Sequence, residues 1–278
     1  MNYNTILVSF ADKRYTTSLK VLDDATKEFP FSKKLLYTED NISNDFFKNL
    51  RYKIHRRGFG YWKWKSHIVL RTLETMNYGD ILVYSDSGVY WNAVAIDRFK
   101  EYLGIVEKNG ILVFQQPFLE KDWTKGDVLE ALGAYNNKNI FMSLQLWAGC
   151  FMIRKTPHVV DFVKRWDKIC NDQYDLITDK RSVKKNLTGF VENRHDQSVF
   201  SILVKQIPHI EISWEEVYNI NDSWYSLNLY PIQGRRILNA QRSITKRISR
   251  LISLPYRFAI GYYLKYFENM FFANRISW

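Results

Sequence analysis

Short apolar runs alternate along the chain with segments in which apolar residues recur every three or four positions. The runs predict strands, and the recurring pattern predicts amphipathic helices. The predicted strands are residues 5–10, 34–37, 81–84, 111–115 and 151–154. The predicted helices are residues 14–28, 44–50, 62–76, 94–106 and 157–170. Because strands and helices alternate, we expect an α/β fold with a mainly parallel sheet flanked by helices.

Composition places the chain among globular proteins. Its 278 residues, 46% of them hydrophobic, suffice for one large α/β domain or two small ones. The only cysteines are Cys150 and Cys170, and no Cys/His group has zinc-site spacing, which argues against a disulfide or zinc framework. The N-terminus is too short and polar for a signal peptide, and no apolar window of ~18 residues predicts a membrane span. The sequence therefore predicts a cytoplasmic protein.

Positive charge is concentrated near the C-terminus. Residues 235–278 carry a net charge of +8, out of +11 for the whole chain. We therefore predict two parts, a main domain over 1–234 and a basic helical tail over 235–278. In the tail, apolar positions at helical spacing alternate with Lys and Arg, which is typical of amphipathic helices at anionic membrane surfaces. The alternatives are a helical hairpin packed on the domain and a dimer contact.

The strand predicted at 81–84 ends in a polar turn that contains one carboxylate, Asp86. Four consecutive apolar residues indicate a strand buried on both faces. Ligands of open α/β sheets bind at the carboxyl ends of such strands. A carboxylate there can hold a hard divalent cation, and the cation can bind a diphosphate. The alternative is that Asp86 only caps the turn.

A basic and aromatic segment precedes the helix predicted at 62–76. No acidic residue lies between Arg51 and Leu73, and two glycines allow the backbone to approach a ligand closely. Its candidate binding side chains are Arg57, Tyr61, Trp62, Lys63 and Lys65. The cations could pair with phosphates, and the rings offer flat faces to a base or a sugar. Trp62 and Trp64, two positions apart in a helix, cannot both face one core, so at least one of them is expected to have another role. The alternative is a surface loop whose rings pack on the sheet.

Residues 193–198 combine polar side chains with the start of an apolar run at helical spacing. Asp196 could cap that helix. Alternatively, Asp196 lies near a reaction centre, and His195 is a metal ligand, a phosphate contact or a proton-transfer group. The polar stretch 172–194 that precedes them predicts a long loop or a lid.

In this order, the three segments resemble those of bacterial nucleotide-sugar-dependent glycosyltransferases with the GT-A fold. The resemblance rests on residues 57–65, 84–88, 148–149 and 195–198 and extends over about residues 3–230. It is greatest for enzymes of lipopolysaccharide and capsular polysaccharide assembly. The resemblance implies a GT-A catalytic domain over 1–234. It also implies a hexosyltransferase that moves a sugar from a nucleotide-sugar donor, expected to be a UDP-sugar, to a glycan acceptor.

The resemblance also implies roles for single residues. Donor contacts are expected from Ser9, Phe10, Arg57, Tyr61, Trp62, Lys63, Lys65, Asp86 and Ser87, and acceptor-side contacts from Trp147 and Gly149. A divalent cation, Mn²⁺ or Mg²⁺, would bind at Asp86. The turn lacks the second carboxylate of the family's Asp-x-Asp motif, so that Lys and Arg could replace the metal in part. The expected catalytic residues are Asp196 and His195. Asp196 would be the base of an inverting reaction; in a retaining reaction, the alternative, a carboxylate would act as the nucleophile or as the partner of an ion-pair intermediate.

The expected setting is the cytoplasmic face of the inner membrane. The tail would dock there so that the domain reaches a lipid-linked intermediate of lipopolysaccharide or capsule, and a homodimer is left open. Nucleic acid is not an expected partner, because the charge lies mostly in the tail and no recognised RNA- or DNA-binding motif is present. The alternative functions are a non-catalytic membrane-surface scaffold of a polysaccharide assembly complex and a nucleic-acid-binding protein.

Overall fold

The computed structural model describes residues 3–42, 57–218 and 229–234. The strands are β1 (Thr5–Phe10), β2 (Lys33–Tyr37), β3 (Ile81–Ser85), β4 (Tyr90–Trp91), β5 (Ile111–Leu119), β6 (Leu144–Arg154), β7 (Ile210–Ile212) and β8 (Ile232–Gln233). The helices are α1 (Thr16–Ala25), α2 (Gly58–Tyr61), α3 (Trp64–Thr75), α4 (Ile96–Asn109), α5 (Glu120–Trp123), α6 (Gly126–Ala131), α7 (Lys138–Phe141), α8 (Pro157–Asp172) and α9 (Asp196–Val204). The predicted helix 44–50 and the tail 235–278 lie outside the described residues.

Six strands form the main sheet in the order β2-β1-β3-β6-β5-β7. β1 pairs in parallel with β2 and β3, and β5 pairs in parallel with β7. β6 runs antiparallel to both of its neighbours, β3 and β5. A separate two-stranded pairing joins β4 to β8. The predicted α/β architecture, with a mainly parallel sheet flanked by helices, is confirmed.

Helices cover both faces of the sheet because alternate side chains of the central strands point to opposite sides. On β3, Leu82 belongs to a core cluster that includes Ile68 of α3 and Phe200 of α9. Its neighbour Val83 belongs to the other cluster, which includes Phe99 of α4. Every residue of β3 is buried, as the run of apolar residues predicted.

Strand direction brings distant segments to one edge of the sheet. β1 and β3 both end at this edge, which places the residues after Ser85 beside the end of β1. Because β6 is antiparallel, Cys150 pairs with Ser85, and the Asp86 amide donates a hydrogen bond to the Gly149 carbonyl oxygen at 2.7 Å. The turn after β3 and the middle of β6 therefore line the same edge.

Among the element boundaries that differ from the prediction, two lie at the candidate site. The helix expected to start at Trp62 begins at Trp64, because Trp62 adopts a left-handed conformation with φ of +59°. β6 begins at Leu144 and is 11 residues long, although only its last four residues were predicted. Its first half contains a glutamine and a glycine, which interrupt the apolar pattern.

Among the described residues, no helix has both the length and the apolar character needed to cross a bilayer. Both cysteines are free and buried.

Candidate functional site

A buried lysine joins two carboxylates at the edge where β3 ends. Lys65 Nζ lies 3.1 Å from Asp196 Oδ2 and 3.4 Å from Asp86 Oδ1. It also donates a hydrogen bond to the Ala148 carbonyl oxygen at 3.1 Å. The side chains of Lys65 and Asp196 are 3% and 4% exposed, whereas that of Asp86 is 35% exposed. The cluster thus consists of a buried ion pair and one carboxylate that solvent can reach.

The charges in this cluster set one another's pKa values. Burial lowers the pKa of Lys65, but the carboxylates of Asp196 and Asp86 outweigh it, so that the pKa is raised. Burial raises the pKa of Asp196 to about 6; Lys65 opposes this rise and Asp86 adds to it. The Lys65 contact is an ion pair rather than an aligned hydrogen bond. Asp196 therefore changes charge close to neutral pH, which suits proton transfer.

The surroundings of Asp86 do not fit a divalent cation. Its Oδ1 atom accepts a hydrogen bond from the Tyr84 hydroxyl at 2.6 Å and lies next to the Lys65 ammonium. That ammonium, which Asp86 shares with Asp196, would repel a second cation at this oxygen. No chemical step is therefore assigned to a metal at Asp86, and the Mn²⁺ or Mg²⁺ expected there stays a prediction.

Backbone strain marks the place where two predicted segments meet. His195, just before α9, has φ of +59° and ψ of −126°. The other non-glycine residues with positive φ in the described part of the chain are Phe59, Tyr61 and Trp62. The Tyr61 and Trp62 rings lie 5.1 and 5.2 Å from the His195 ring, and Trp62 stacks on it. Such conformations cost ~1–3 kcal/mol each and are concentrated at functional sites.

The His195 ring has one bonded nitrogen and one without a partner. Nδ1 lies 2.7 Å from the Ile177 carbonyl oxygen, which fixes Nδ1 as the protonated nitrogen and leaves a lone pair on Nε2. Nε2 is buried, has no hydrogen-bond partner and lies 3.9 Å from Asp179 Oδ1. Burial lowers the pKa of His195 to about 4. The ring is therefore neutral at pH 7.

Two acidic residues of the segment 172–194 pair with Arg57. The guanidinium contacts Asp179 Oδ1 at 3.0 Å and also forms an ion pair with Glu192. The Tyr61 hydroxyl donates a hydrogen bond to Asp179 Oδ2 at 3.1 Å. One ligand atom each from Asp179, Glu192 and His195 lies within 4.8 Å of the others, so these three residues could hold a metal ion. Sequence reasoning missed both carboxylates, although the acid-free segment 51–73 signalled that it needed acidic partners.

The remaining donor residues predicted from sequence lie in several environments. Ser9 is buried with no hydrogen-bond partner for its hydroxyl. The Phe10 ring packs in the core, 4.2 Å from the Trp64 ring. Lys63 Nζ lies 5.4 Å from the Tyr174 ring, and burial lowers its pKa. Ser87, in the turn after β3, is half-buried. Their contacts with a donor stay predictions.

On β6, the space beside Gly149 holds the indole ring of Trp147. A Cβ atom on Gly149 would lie only 2.2 Å from Trp147 Nε1. The glycine thus makes room for its neighbour's ring. Trp147 itself is buried, and its ring lies 5.9 Å from that of Tyr218. The acceptor-side roles of both residues stay predictions.

A glutamine to which the sequence assigned no role fixes α9 to β6. Gln197 Oε1 accepts a hydrogen bond from the Ala148 amide at 3.2 Å, and its Nε2 donates to Gln145 Oε1 at 2.7 Å. Gln145 Nε2 in turn donates to the fully buried Glu120 at 3.0 Å. These bonds hold Asp196 close to Ala148, whose carbonyl oxygen binds Lys65.

Comparisons with known proteins found similarity only among solved structures. No known family and no curated protein matches the chain. Similar solved structures include a glycosyltransferase involved in glycosylation of the major capsid of PBCV-1, with 10% identity, a TM-score of 0.47, and coverage of 88% of this chain and 98% of that chain. The bifunctional glycosyltransferase WbbM is 12% identical, with a TM-score of 0.46, and the match covers 82% of this chain and 44% of that chain. The galactosyltransferase LgtC, in complex with donor and acceptor sugar analogues, is 13% identical, with a TM-score of 0.41. This match covers 83% of this chain and 86% of that chain. Similarity this low says nothing about substrate.

Proposed function

We propose that the chain is a GT-A-type glycosyltransferase that moves a hexose from a nucleotide sugar, a UDP-sugar in the first instance, to a hydroxyl of a glycan. The observation that carries the proposal is the cluster of Lys65, Asp86 and Asp196 at the carboxyl end of β3. One carboxylate is buried and changes charge near neutral pH, and the other faces solvent. Two carboxylates in such different environments can take different roles in one reaction.

The reaction requires a proton acceptor and stabilisation of a leaving diphosphate. The acceptor hydroxyl attacks the anomeric carbon, and the bond from that carbon to the diphosphate oxygen breaks. The diphosphate leaves with the electron pair, and the hydroxyl proton passes to a base. Arg57, with a side chain 42% exposed, is the proposed phosphate contact.

Exposure suggests how the two carboxylates divide the work. Asp86 can contact substrate directly, because a third of its side chain is open to solvent. Lys65 has its ammonium turned to Asp86, Asp196 and the Ala148 carbonyl oxygen, so it holds the carboxylates in place. Lys65 also favours the charged form of Asp196 against the effect of burial. Asp196 in that form is the proposed base of an inverting reaction.

The acceptor is proposed to be a lipid-linked intermediate of lipopolysaccharide or capsule. The support is the tail 235–278, with its charge of +8 and its many aromatic residues. We propose that this tail places the protein at the cytoplasmic face of the inner membrane. The experiment below also tests the two alternatives, a membrane-surface scaffold and a nucleic-acid-binding protein.

Calorimetric titration of UDP, GDP and CMP, each with and without Mn²⁺, tests the function. The proposal expects one nucleotide to bind and its sugar conjugate to be turned over. Asp86→Asn should abolish turnover with the fold intact, whereas Asp161→Asn, at an exposed position of α8, should have no effect. If no nucleotide binds, the scaffold reading replaces the transferase. Salt-sensitive binding of generic RNA instead would favour the nucleic-acid reading.

A further inference from the structure

We infer that Asp179, Glu192 and His195 form a binding site for a divalent transition-metal ion, which takes the place that the Arg57 guanidinium now holds. This site is separate from Asp86, where the sequence had suggested a metal. It does not depend on the proposed transferase activity.

The His195 imidazole is the first observation that points to a ligand. Its Nε2 atom is buried, has no hydrogen-bond partner and faces Asp179 Oδ1 at 3.9 Å. Leaving a buried polar nitrogen without a partner is costly. The bond from Nδ1 to the Ile177 carbonyl oxygen fixes the tautomer that presents a lone pair at Nε2. Metal-bound histidines are oriented in the same way by a carbonyl acceptor at the other nitrogen.

The two carboxylates lie on backbone that is already fixed. Lys125 Nζ, almost fully buried, donates hydrogen bonds to the carbonyl oxygens of Thr178 and Lys180, which flank Asp179. On the other side, the Asn193 side chain bonds the Lys125 amide and the Leu176 carbonyl oxygen, which holds the chain next to Glu192. Only the carboxylate side chains need to move when a ligand binds.

The donor set selects the class of metal. One imidazole nitrogen and two carboxylate oxygens suit Zn²⁺, Mn²⁺, Fe²⁺ or Co²⁺, whereas Mg²⁺ and Ca²⁺ prefer oxygen alone. Metal–ligand bonds of ~2.0–2.2 Å place ligand atoms about 3–3.5 Å apart. The present atoms lie within 4.8 Å of one another, so they must close by about 1 Å. Asp179 and Glu192 can do so, because their side chains are 42% and 38% exposed.

Arg57 is the competing cation. It pairs with both carboxylates in the absence of metal, and its side chain is itself 42% exposed, so it can swing out into solvent. A metal ion and the guanidinium cannot occupy the same place between two carboxylates. Metal binding therefore releases Arg57. That the released guanidinium then binds a donor phosphate is a consequence that rests on the proposed function.

Titration of the full-length protein with Co²⁺ or Zn²⁺, without nucleotide, tests the site by calorimetry and by the visible absorption of bound Co²⁺. Glu192→Gln and Asp179→Asn should each weaken binding on the order of tenfold or more. Arg57→Ala should strengthen binding by a similar factor, because it removes the competitor. Asp175→Asn, which removes an exposed carboxylate paired with Lys180 in the same segment, should leave the affinity unchanged. Mg²⁺ should bind more weakly than Co²⁺ in every case.

The carboxylate variants should weaken Co²⁺ binding and Arg57→Ala should strengthen it, and these opposite effects make the inference falsifiable. If the cluster only anchors Arg57, then Arg57→Ala will not tighten binding, and Co²⁺ will bind all variants as it binds Asp175→Asn. Since Asp179, Glu192 and Arg57 are at the surface, their variants should fold, which circular dichroism checks. Failure of this titration leaves the nucleotide titration above unaffected, and the reverse also holds.

Discussion

Lys65 Nζ lies 3.1 Å from Asp196 Oδ2, and both side chains are almost fully buried. Removing one partner from a buried ion pair leaves an uncompensated charge and typically costs about 3–5 kcal/mol, whereas replacing both partners by apolar residues is often close to neutral. Replacing one partner of this pair should therefore destabilise the protein much more than replacing both.

We expect Lys65→Met to lower the free energy of unfolding by about 3 kcal/mol or more. The double variant Lys65→Met with Asp196→Leu should recover most of that loss in stability, although it lacks the proposed base. Urea denaturation measures both. Lys63→Met is the control, because this buried lysine contacts the Tyr174 ring and should cost only about 1 kcal/mol. Equal losses at positions 63 and 65 would contradict the ion-pair interpretation.

The pH dependence of the proposed transferase reports the charge state of Asp196. If Asp196 is the base, kcat/KM should rise as the pH increases through about 6, where its carboxyl loses the proton. Lys65→Met should move this limb to higher pH, because Lys65 lowers the pKa of Asp196. Initial rates measured as a function of pH test this. A profile without a limb near pH 6 would leave Asp196 with only the role of positioning Lys65.

The lowered pKa of His67 predicts that the protein loses stability in acid. Burial lowers its pKa from 6.5 to about 4 in the folded protein. Between these values the unfolded chain binds more protons than the folded one, so the free energy of unfolding falls as the pH drops from about 6.5 towards 4, by at most ~3 kcal/mol. In His67→Gln this part of the loss should disappear. Denaturation at pH 7 and pH 4.5 decides, and parallel losses in both proteins would remove His67 as a cause.

Gly149→Ala should destabilise the protein by about 1–3 kcal/mol, because the added methyl group meets the Trp147 ring. In the Trp147→Leu background the same substitution should cost little, because the ring that the methyl group meets is gone. Gly104→Ala in α4 is the matched control, since nothing lies within 4 Å of its new methyl group and a helix gains from alanine. Thermal unfolding compares the three, and a neutral Gly149→Ala would show that the ring can move aside.

Deleting residues 235–278 should reduce binding to vesicles that contain anionic lipid, and the reduction should be largest at low salt. Turnover of a soluble acceptor should change little, because the described site residues all precede the deletion. Vesicle sedimentation measures the binding. Unchanged sedimentation would return the tail to a role in packing or in dimer formation.

The sequence located the segments that form the candidate site but not their contacts. Asp86 and Asp196 stood out because each follows or precedes an apolar run with an abrupt change to polar residues. The other residues of the candidate site could not be identified from the sequence. Tyr84 reads as part of a buried strand, and Asp179 and Glu192 read as ordinary loop acids. Their roles depend on partners 2 to 135 positions away along the chain.

Local patterns of apolar and polar residues determined the α/β class, the buried strand β3 and the segments rich in candidate ligands, because these patterns reflect burial one element at a time. Tertiary structure alone decided that β6 runs antiparallel, which brings Ala148 to Lys65, and that Lys65 bridges Asp86 and Asp196. Strand direction and side-chain pairing arise from how whole elements pack against one another, and periodicity within one element carries no record of them.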